Sequence, residues 1–380
     1  MTSARIGDIV ELVRESVSID PAARYEPIGV RSFAKGLIRY PVCTGDSLSK
    51  MRYFKLPPGS LVISNIKAWE GAVALASPDE GGRVVSNRFL TYLPIDKNIE
   101  IRYLWHYFAS DPGARKLAES SPGSADRNRT LGIRSFEDLV IPLPTIDEQR
   151  AISTQLDAVA EVSRAMAAST ANLASTLSGI RQQILQAAAN RCVQITADDI
   201  FTQVHRRVDV RSNESYEMLG VRSFARGAFA SGVLAGADTS YAQLRIVDAG
   251  DLVYPKLMAW EGAFAIVPQE LDGRHVSPEF CIFKITDARA DPEYLRHLFA
   301  WPEFLASVSG RATGTNVRRR RLQSGDFLKA KLPLPEISEQ RDIAVKLNVI
   351  SGAADTRTRQ TALALALPRA ARNEVFAKLV

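Results

Sequence analysis

The chain has 380 residues, 46% of them hydrophobic and 24% charged, with a formal net charge of +6 and a sequence pI of about 9.2. That length carries two ordinary domains with real cores, and that composition excludes a disordered chain. No apolar run approaches the roughly 18 residues of a membrane span, and Cys43, Cys192 and Cys281 are scattered without a CxxC or a His at ligand spacing, which argues against a disulfide framework or a zinc module. A soluble protein of the reducing cytoplasm is expected, basic enough to permit a polyanion partner without demanding one.

Taken in chain order, the sequence repeats itself at a constant offset of 191 residues. YEPIGVRSFAKG (25–36) returns as YEMLGVRSFARG (216–227), and AWEGA (68–72) returns unchanged at 259–263. VVSNRF (84–89) falls on HVSPEF (275–280), RYLWHYFASDP (102–112) on EYLRHLFAWPE (293–303), and PLPTIDEQR (142–150) on PLPEISEQR (333–341). Each copy first mixes short β-like runs such as LVISNI, RFLTYL, LVYPKL and FCIFKI with Gly and Pro punctuation and one amphipathic helical stretch. The fold class is therefore α+β: two similar mixed α/β domains in tandem duplication, at 1–145 and 191–336.

Each copy ends differently from how it begins. After the PLP step, which cannot continue a strand ladder, Asp147 and Glu148, or Ser338 and Glu339, suit a helix N-terminus. From there Ile152, Leu156, Val159, Met166, Leu173, Leu177, Ile180 and Ile184 recur at alternating threes and fours, with Ser163 and Thr170 as polar members of the stripe. Ile343, Leu347, Ile350 and Ala354 repeat it in the second copy, before Arg357 and Thr361 weaken it and Pro368 is expected to kink or end the helix. Long helices over 146–190 and 337–380 are predicted, each extending roughly 60 Å at 1.5 Å per residue. Pairing them antiparallel in a coiled coil, which spaces the two domains, would dry both stripes; folding each back on its own domain is the alternative.

Catalysis has no visible owner. There is no phosphate-binding lysine loop, no HExxH, no GxSxG and no strand-linked GxGxxG, and His106, His205, His275 and His297 are scattered. What stands out is basic residues set among Gly, Ser and Asn. SGRATGTNVRRRR (309–321) carries Arg311, Asn316, Arg318, Arg319, Arg320 and Arg321, and the aligned SSPGSADRNRT (120–130) carries Arg127, Asn128 and Arg129. The octapeptides have the same make-up, with Arg31, Ser32 and Lys35 matched by Arg222, Ser223 and Arg226; Lys67 and Lys256 lie just ahead of the AWEGA segments. Arginine and lysine neutralise phosphates, Arg forks onto guanine, Asn pairs with adenine, and small residues let backbone N–H groups approach phosphate. A run of arginines is usually a solvated face, but its basic counterpart at the same place in the duplicate makes these residues the candidate nucleic-acid contacts. Phe33 and Phe224 could wedge or stack, although an aromatic between two turns is more often an anchor into its own core; Trp69 and Trp260 are read as structural, and Glu70 and Glu261 either accept from a backbone N–H or read a cytosine amino group.

Taken together, IPLPTIDEQRAI and LPLPEISEQRDI opening long helices, the paired octapeptides, AWEGA and SPGSADRNRTL resemble the specificity subunits of type I restriction-modification systems over almost the whole chain. The resemblance implies two target recognition domains, each reading half of a bipartite DNA target, and conserved helices that also bind modification subunits, two of them. It implies no catalytic or metal site in this chain: S-adenosylmethionine, ATP and Mg would come with the modification and restriction subunits. The stripe residues Ile152, Leu156, Val159, Met166, Leu173, Leu177, Ile343, Leu347 and Ile350 become coil or partner contacts. Because the two copies align without gaps, the target is expected to approach an interrupted palindrome, diverging where the alignment is weakest, at 37–50 against 228–241 and DRNRT against VRRRR. A stand-alone nuclease or modification enzyme with a cryptic metal site, and a structural adaptor that binds no DNA, remain the competing readings.

Overall fold

The computed structural model describes residues 2–123, 129–224, 226–310 and 320–379. The chain divides into two units, one formed by Met1–Thr170 with Arg359–Val380 and the other by Ala171–Thr358.

In the first unit an antiparallel sheet runs in the order Val73–Leu75, Leu61–Ser64, Phe89–Pro94, Val10–Leu12. The strand Leu61–Ser64 is apolar on both faces because both faces are covered. Leu61 and Ile63 join Leu90 and Tyr92 in a core built against helices α1 (Ile101–Phe108), α2 (Asp111–Glu119) and α3 (Ile133–Glu137), while Val62 points the other way into a smaller core with Ile28, Phe54 and Val85. The alternation of a strand thus separates two cores. A three-stranded sheet of Val84–Ser86, Tyr53–Lys55 and Ser16–Val17 backs the smaller one.

The second unit repeats the plan at the 191-residue offset. Its four-stranded sheet runs Phe201–Gln203, Phe280–Ile285, Leu252–Pro255, Ala265–Ile266, and Leu252 and Tyr254 face one core while Val253 faces the other. Helices α5 (Pro292–Leu298), α6 (Pro302–Ser309) and α7 (Ser324–Leu328) follow. One difference is substantial. The weakly aligned stretch forms a long hairpin here, Ser215–Val221 with Ala228–Ala235, inside a five-stranded sheet, whereas the first unit has only short pairs, Arg24–Tyr25 with Cys43–Thr44 and Ile28–Val30 with Leu37–Arg39.

The PLP and EQR segments meet in space. Tyr103 Oη donates to Pro142 O and Tyr294 Oη to Pro333 O, both at 2.8 Å. Gln149 and Gln340, fully buried, each donate to the carbonyl of the last loop proline, Pro144 or Pro335, and accept from the backbone N–H that opens α1 or α5. A buried amide that uses both ends locks the helix start to the domain.

The long helices are α4 (Ile146–Arg191) and α8 (Ile337–Ala377). In the first unit Ser163 Oγ donates to Ala364 O and Thr170 pairs with Thr361 at 2.6 Å, so partner numbers fall as α4 numbers rise and the pairing is antiparallel. In the second, Leu185 and Ala188 share a core with Ile343, Ala344 and Leu347, and Arg191 pairs with Glu339 at 2.8 Å.

Two expectations change. Met166 and Leu173 stand 50% and 40% exposed and Ile180 is also exposed, whereas Leu156, Ser163 and Ala167 are buried. The packed stripe uses small residues at alternate turns, which lets the helix backbones approach and turns the bulkier neighbours outward. Ile152 and Ile350 pack at the margins of their cores, and Val159 and Leu177 are half-buried. Secondly, α8 does not end at Pro368 but continues nine residues further, to Ala377. Proline lacks the N–H that would bond the carbonyl four residues back, and that carbonyl, of Ala364, is the one Ser163 satisfies.

Candidate nucleic-acid interface

The two octapeptides are tight loops joining antiparallel strands. Arg31 N–H donates to Gly36 O (2.9 Å) and Arg222 N–H to Gly227 O (3.0 Å). Phe33, Ala34 and Phe224 adopt positive φ, a conformation that costs a β-carbon-bearing residue energy unless something holds it. The AWEGA segment holds it. Phe33 N–H donates to Glu70 O and Phe224 N–H to Glu261 O, at 2.9 and 2.8 Å, and Ser32 and Ser223 hydroxyls donate to the Glu70 and Glu261 carboxylates at 2.5 and 2.8 Å. The two motifs most alike in both copies are one device, a braced loop. Lys67 and then Ser32, each bonding Glu70, hold its carboxyl below the ordinary range and therefore charged.

The brace leaves Arg31, Lys35, Arg222 and Arg226 exposed, with Phe33 and Phe224 projecting beside them at 66% and 71% exposure. Lys67 lies 5.0 Å and Arg129 5.4 Å from the Trp69 ring, so two cations flank one indole. Arg129 also donates to the carbonyls of Ala118 and Ser121 at the end of α2. In the second unit Lys67 is matched by Met258, and Arg129 by the half-buried Arg320. Lys256 is half-buried, and Arg321 pairs with Glu279 at 2.9 Å. Arg127, Asn128, Arg311, Asn316, Arg318 and Arg319 lie outside the described residues.

The sequence reading passed over a concave surface of about 370 Å³ in the first unit, lined by Tyr40, Ser49, Met51, Tyr53 and Arg88 among others. The positions 191 later are Ser231, Ser240, Ala242, Leu244 and Glu279, so two aromatics are lost and a charge is reversed. Two of its residues come from the poorly aligned 37–50 stretch, the one sequence signal that pointed here.

Each domain meets the long helices through a histidine. His106, fully buried on α1, accepts at Nδ1 from Arg372 Nε of α8 (3.1 Å), so Nε2 carries the proton and donates to Asp157 of α4 (3.0 Å). Arg372 lies 4.7 Å over the Trp105 ring. In the second unit His297 on α5 donates from Nε2 to Asn348 of α8 (2.8 Å), and Arg181 of α4 donates to His297 O (3.2 Å). Every one of these residues has its counterpart 191 positions away. Both imidazoles are pushed down to about 4, chiefly by burial, with Arg372 helping at His106, while the Asp157 and Asn348 contacts oppose the shift. At pH 7 both are neutral groups that pack the domain against the helices.

Among the described residues no group of His, Cys, Asp and Glu could hold a metal ion, and no helix is long and apolar enough to cross a membrane. No protein-family profile and no curated protein matches the sequence. Solved structures match its fold. The HsdS subunit from Thermoanaerobacter tengcongensis is 16% identical over 100% of this chain and 97% of its own, with a TM-score of 0.58. A chain from a structure on complex assembly and conformational transition of the type I R-M system is 15% identical over 99% and 97%, with a TM-score of 0.69. The type I restriction-modification S subunit from M. genitalium is 13% identical over 99% and 96%, with a TM-score of 0.51. The fold is therefore that of the S subunits of type I restriction-modification systems, along the whole length of the chain.

Proposed function

We propose that this chain is the sequence-specific DNA-binding subunit of a type I restriction-modification system, without catalysis of its own, and that each domain reads one half of a bipartite target. The observation that carries the reading is the duplication itself: two domains with the same braced basic loop, mounted on antiparallel helices, in the fold of S subunits. Near-identical loops suit phosphate contacts common to both half-sites. The Arg88 and Glu279 reversal and the unequal hairpins suit base contacts that differ, making the target a near-palindrome and not a perfect one.

The proposed partners are double-stranded DNA, two modification subunits and restriction subunits, through which S-adenosylmethionine, ATP and Mg would act. Exposed apolar side chains support a protein partner on the helices, namely Val162, Met166 and Leu363 in the first unit and Leu173, Val345 and Val349 in the second. Base-resolution mapping of methylation in the source cell, with and without the gene, tests the proposal. A bipartite motif that vanishes with the gene is the expected result. Cleavage or methylation of DNA by the purified chain alone, with Mg and S-adenosylmethionine, would overturn it in favour of a stand-alone enzyme.

A further inference from the structure

Beside the octapeptide loop of the second unit lies a cavity of about 550 Å³. Arg181 of α4, Arg296 of α5 and Arg226 of the loop line it, and the one carboxylate on its wall is Asp355 of α8. Arg181 is the informative residue. It spends one N–H on His297 O, its buried Nε has no partner, and it forms no ion pair among the described residues. Burial first, and the neighbouring Arg296 second, push its guanidinium pKa down: a cation is held away from water beside another cation. Arg296 is paired with Glu293 at 2.9 Å, and Arg226 is exposed.

The first unit shows what a self-satisfied version of this place looks like. There Arg372 stacks on Trp105 and donates to His106, Arg369 pairs with Asp111 at 2.7 Å, and the remaining space is about 70 Å³. At the 191-residue offset Trp105 corresponds to Arg296, Asp157 to Asn348 and Asp111 to Pro302. One exchange replaces a filling indole with a cation, and the other two each remove a carboxylate. The cations that met those carboxylates go as well, Arg369 giving way to Ser178 and Arg102 to Glu293, so what the second unit alone gains is the larger space, with Arg181 on its wall and without an ion pair among the described residues. Guanidinium forks match phosphate oxygens two at a time, cavities of roughly 300–1,000 Å³ hold small-molecule ligands, and Phe224 at the rim offers an exposed ring for a base to stack on.

We propose that this cavity binds a phosphate-bearing ligand, with Arg181 and Arg296 on the phosphate oxygens and Arg226 reaching over it. The same chemistry has two sources, a free nucleotide or a strand phosphate of DNA. Calorimetric titration of the full chain with ADP, pyrophosphate and inorganic phosphate reads the first, and duplex binding across a salt series reads the second. Arg296→Trp installs the side chain found at the equivalent place in the first unit; Arg226→Ala alters only an exposed loop position and keeps the test open should the first variant misfold.

The expected result is that ADP or pyrophosphate binds and that each variant weakens it by roughly tenfold or more. If no free phosphate titrates but both variants weaken duplex binding and flatten its salt dependence, the ligand is DNA and the site stands. The proposal is overturned if none of the three titrates and the variants bind duplex like the parent protein, or if phosphates bind parent and variants equally. The nucleotide titration needs neither DNA nor a partner, so its outcome is separate from that of the specificity-subunit reading.

Discussion

The two histidine contacts occupy equivalent places and differ in charge. In the first unit the imidazole sits between an arginine and a carboxylate, and Arg102 adds a further bond to Asp157 at 2.8 Å. In the second an amide takes the place of the carboxylate, and the arginine turns to a backbone carbonyl. Asp and Asn have the same shape and both present an acceptor oxygen, so the docking geometry survives the exchange. Charge balance does not, and one copy is left with cations facing a cavity. Duplicated packing thus constrains shape more tightly than it constrains electrostatics.

The largest effects should come from the helix ends that complete each core. Phe376 lies fully buried against Tyr103 and Tyr107, with ring centroids 5.5 and 5.3 Å away, and its counterpart Leu185 is buried in the second core. Phe376→Ala should cost about 3–5 kcal/mol and Leu185→Ala about 2–5. Hydrogen exchange should show each loss confined to its own unit; equal loosening of both units by either variant would break the comparison.

Acid should act on both units through the histidines. Each folded-state pKa is depressed from an ordinary 6.5 to about 4, so the neutral imidazoles contribute stability that is fully present above pH 6.5 and is lost as the pH falls towards 4. The loss should be of the order of 3 kcal/mol per imidazole. Urea unfolding between pH 7 and 4 measures it, and His297→Asn should flatten the profile of the second unit alone.

Ser163→Ala should cost about 1–3 kcal/mol by leaving the Ala364 carbonyl buried and unsatisfied. Adding Pro368→Ala restores a helical N–H to that carbonyl, so the double variant should recover most of the loss in a denaturation cycle. Smallest are the charge swaps. Asp157→Asn should lower the His106 pKa further and Asn348→Asp should raise that of His297, each by about one unit, readable by NMR titration. No change in either would show that the acceptor's charge is irrelevant.

The repeat offset exposed the architecture because it spans strands, loops and helices alike, and the antiparallel helices follow from two stripes that must both be dried. The seam was harder to read. Bulky residues at sevens placed Met166 and Leu173 in the stripe beside Ser163 and Thr170, yet the contact is made by the two hydroxyl residues and by Ala167, whose small size is invisible to a count of large apolar side chains. The octapeptide and AWEGA could not be joined from local spacing, since Ser32 and Glu70 are 38 residues apart and meet only through sheet pairing. Arg181 and Arg372 are matched at the repeat offset, but nothing local tied them to the histidines, since each lies on a helix distant in sequence from the histidine it serves.

The hydrogen bond between Ser163 and Ala364 also acts as an alignment check. A residue that usually breaks helices deletes one donor from α8, and a single hydroxyl on α4 supplies the replacement. Slide one helix along the other by a turn and the hydroxyl meets a carbonyl already bonded within its own helix, while the orphaned one faces hydrocarbon. Two apolar stripes of repeating small residues tolerate several such offsets; the Ser163 and Pro368 combination penalises all but one, and so converts a generic helix pair into one with a defined starting point.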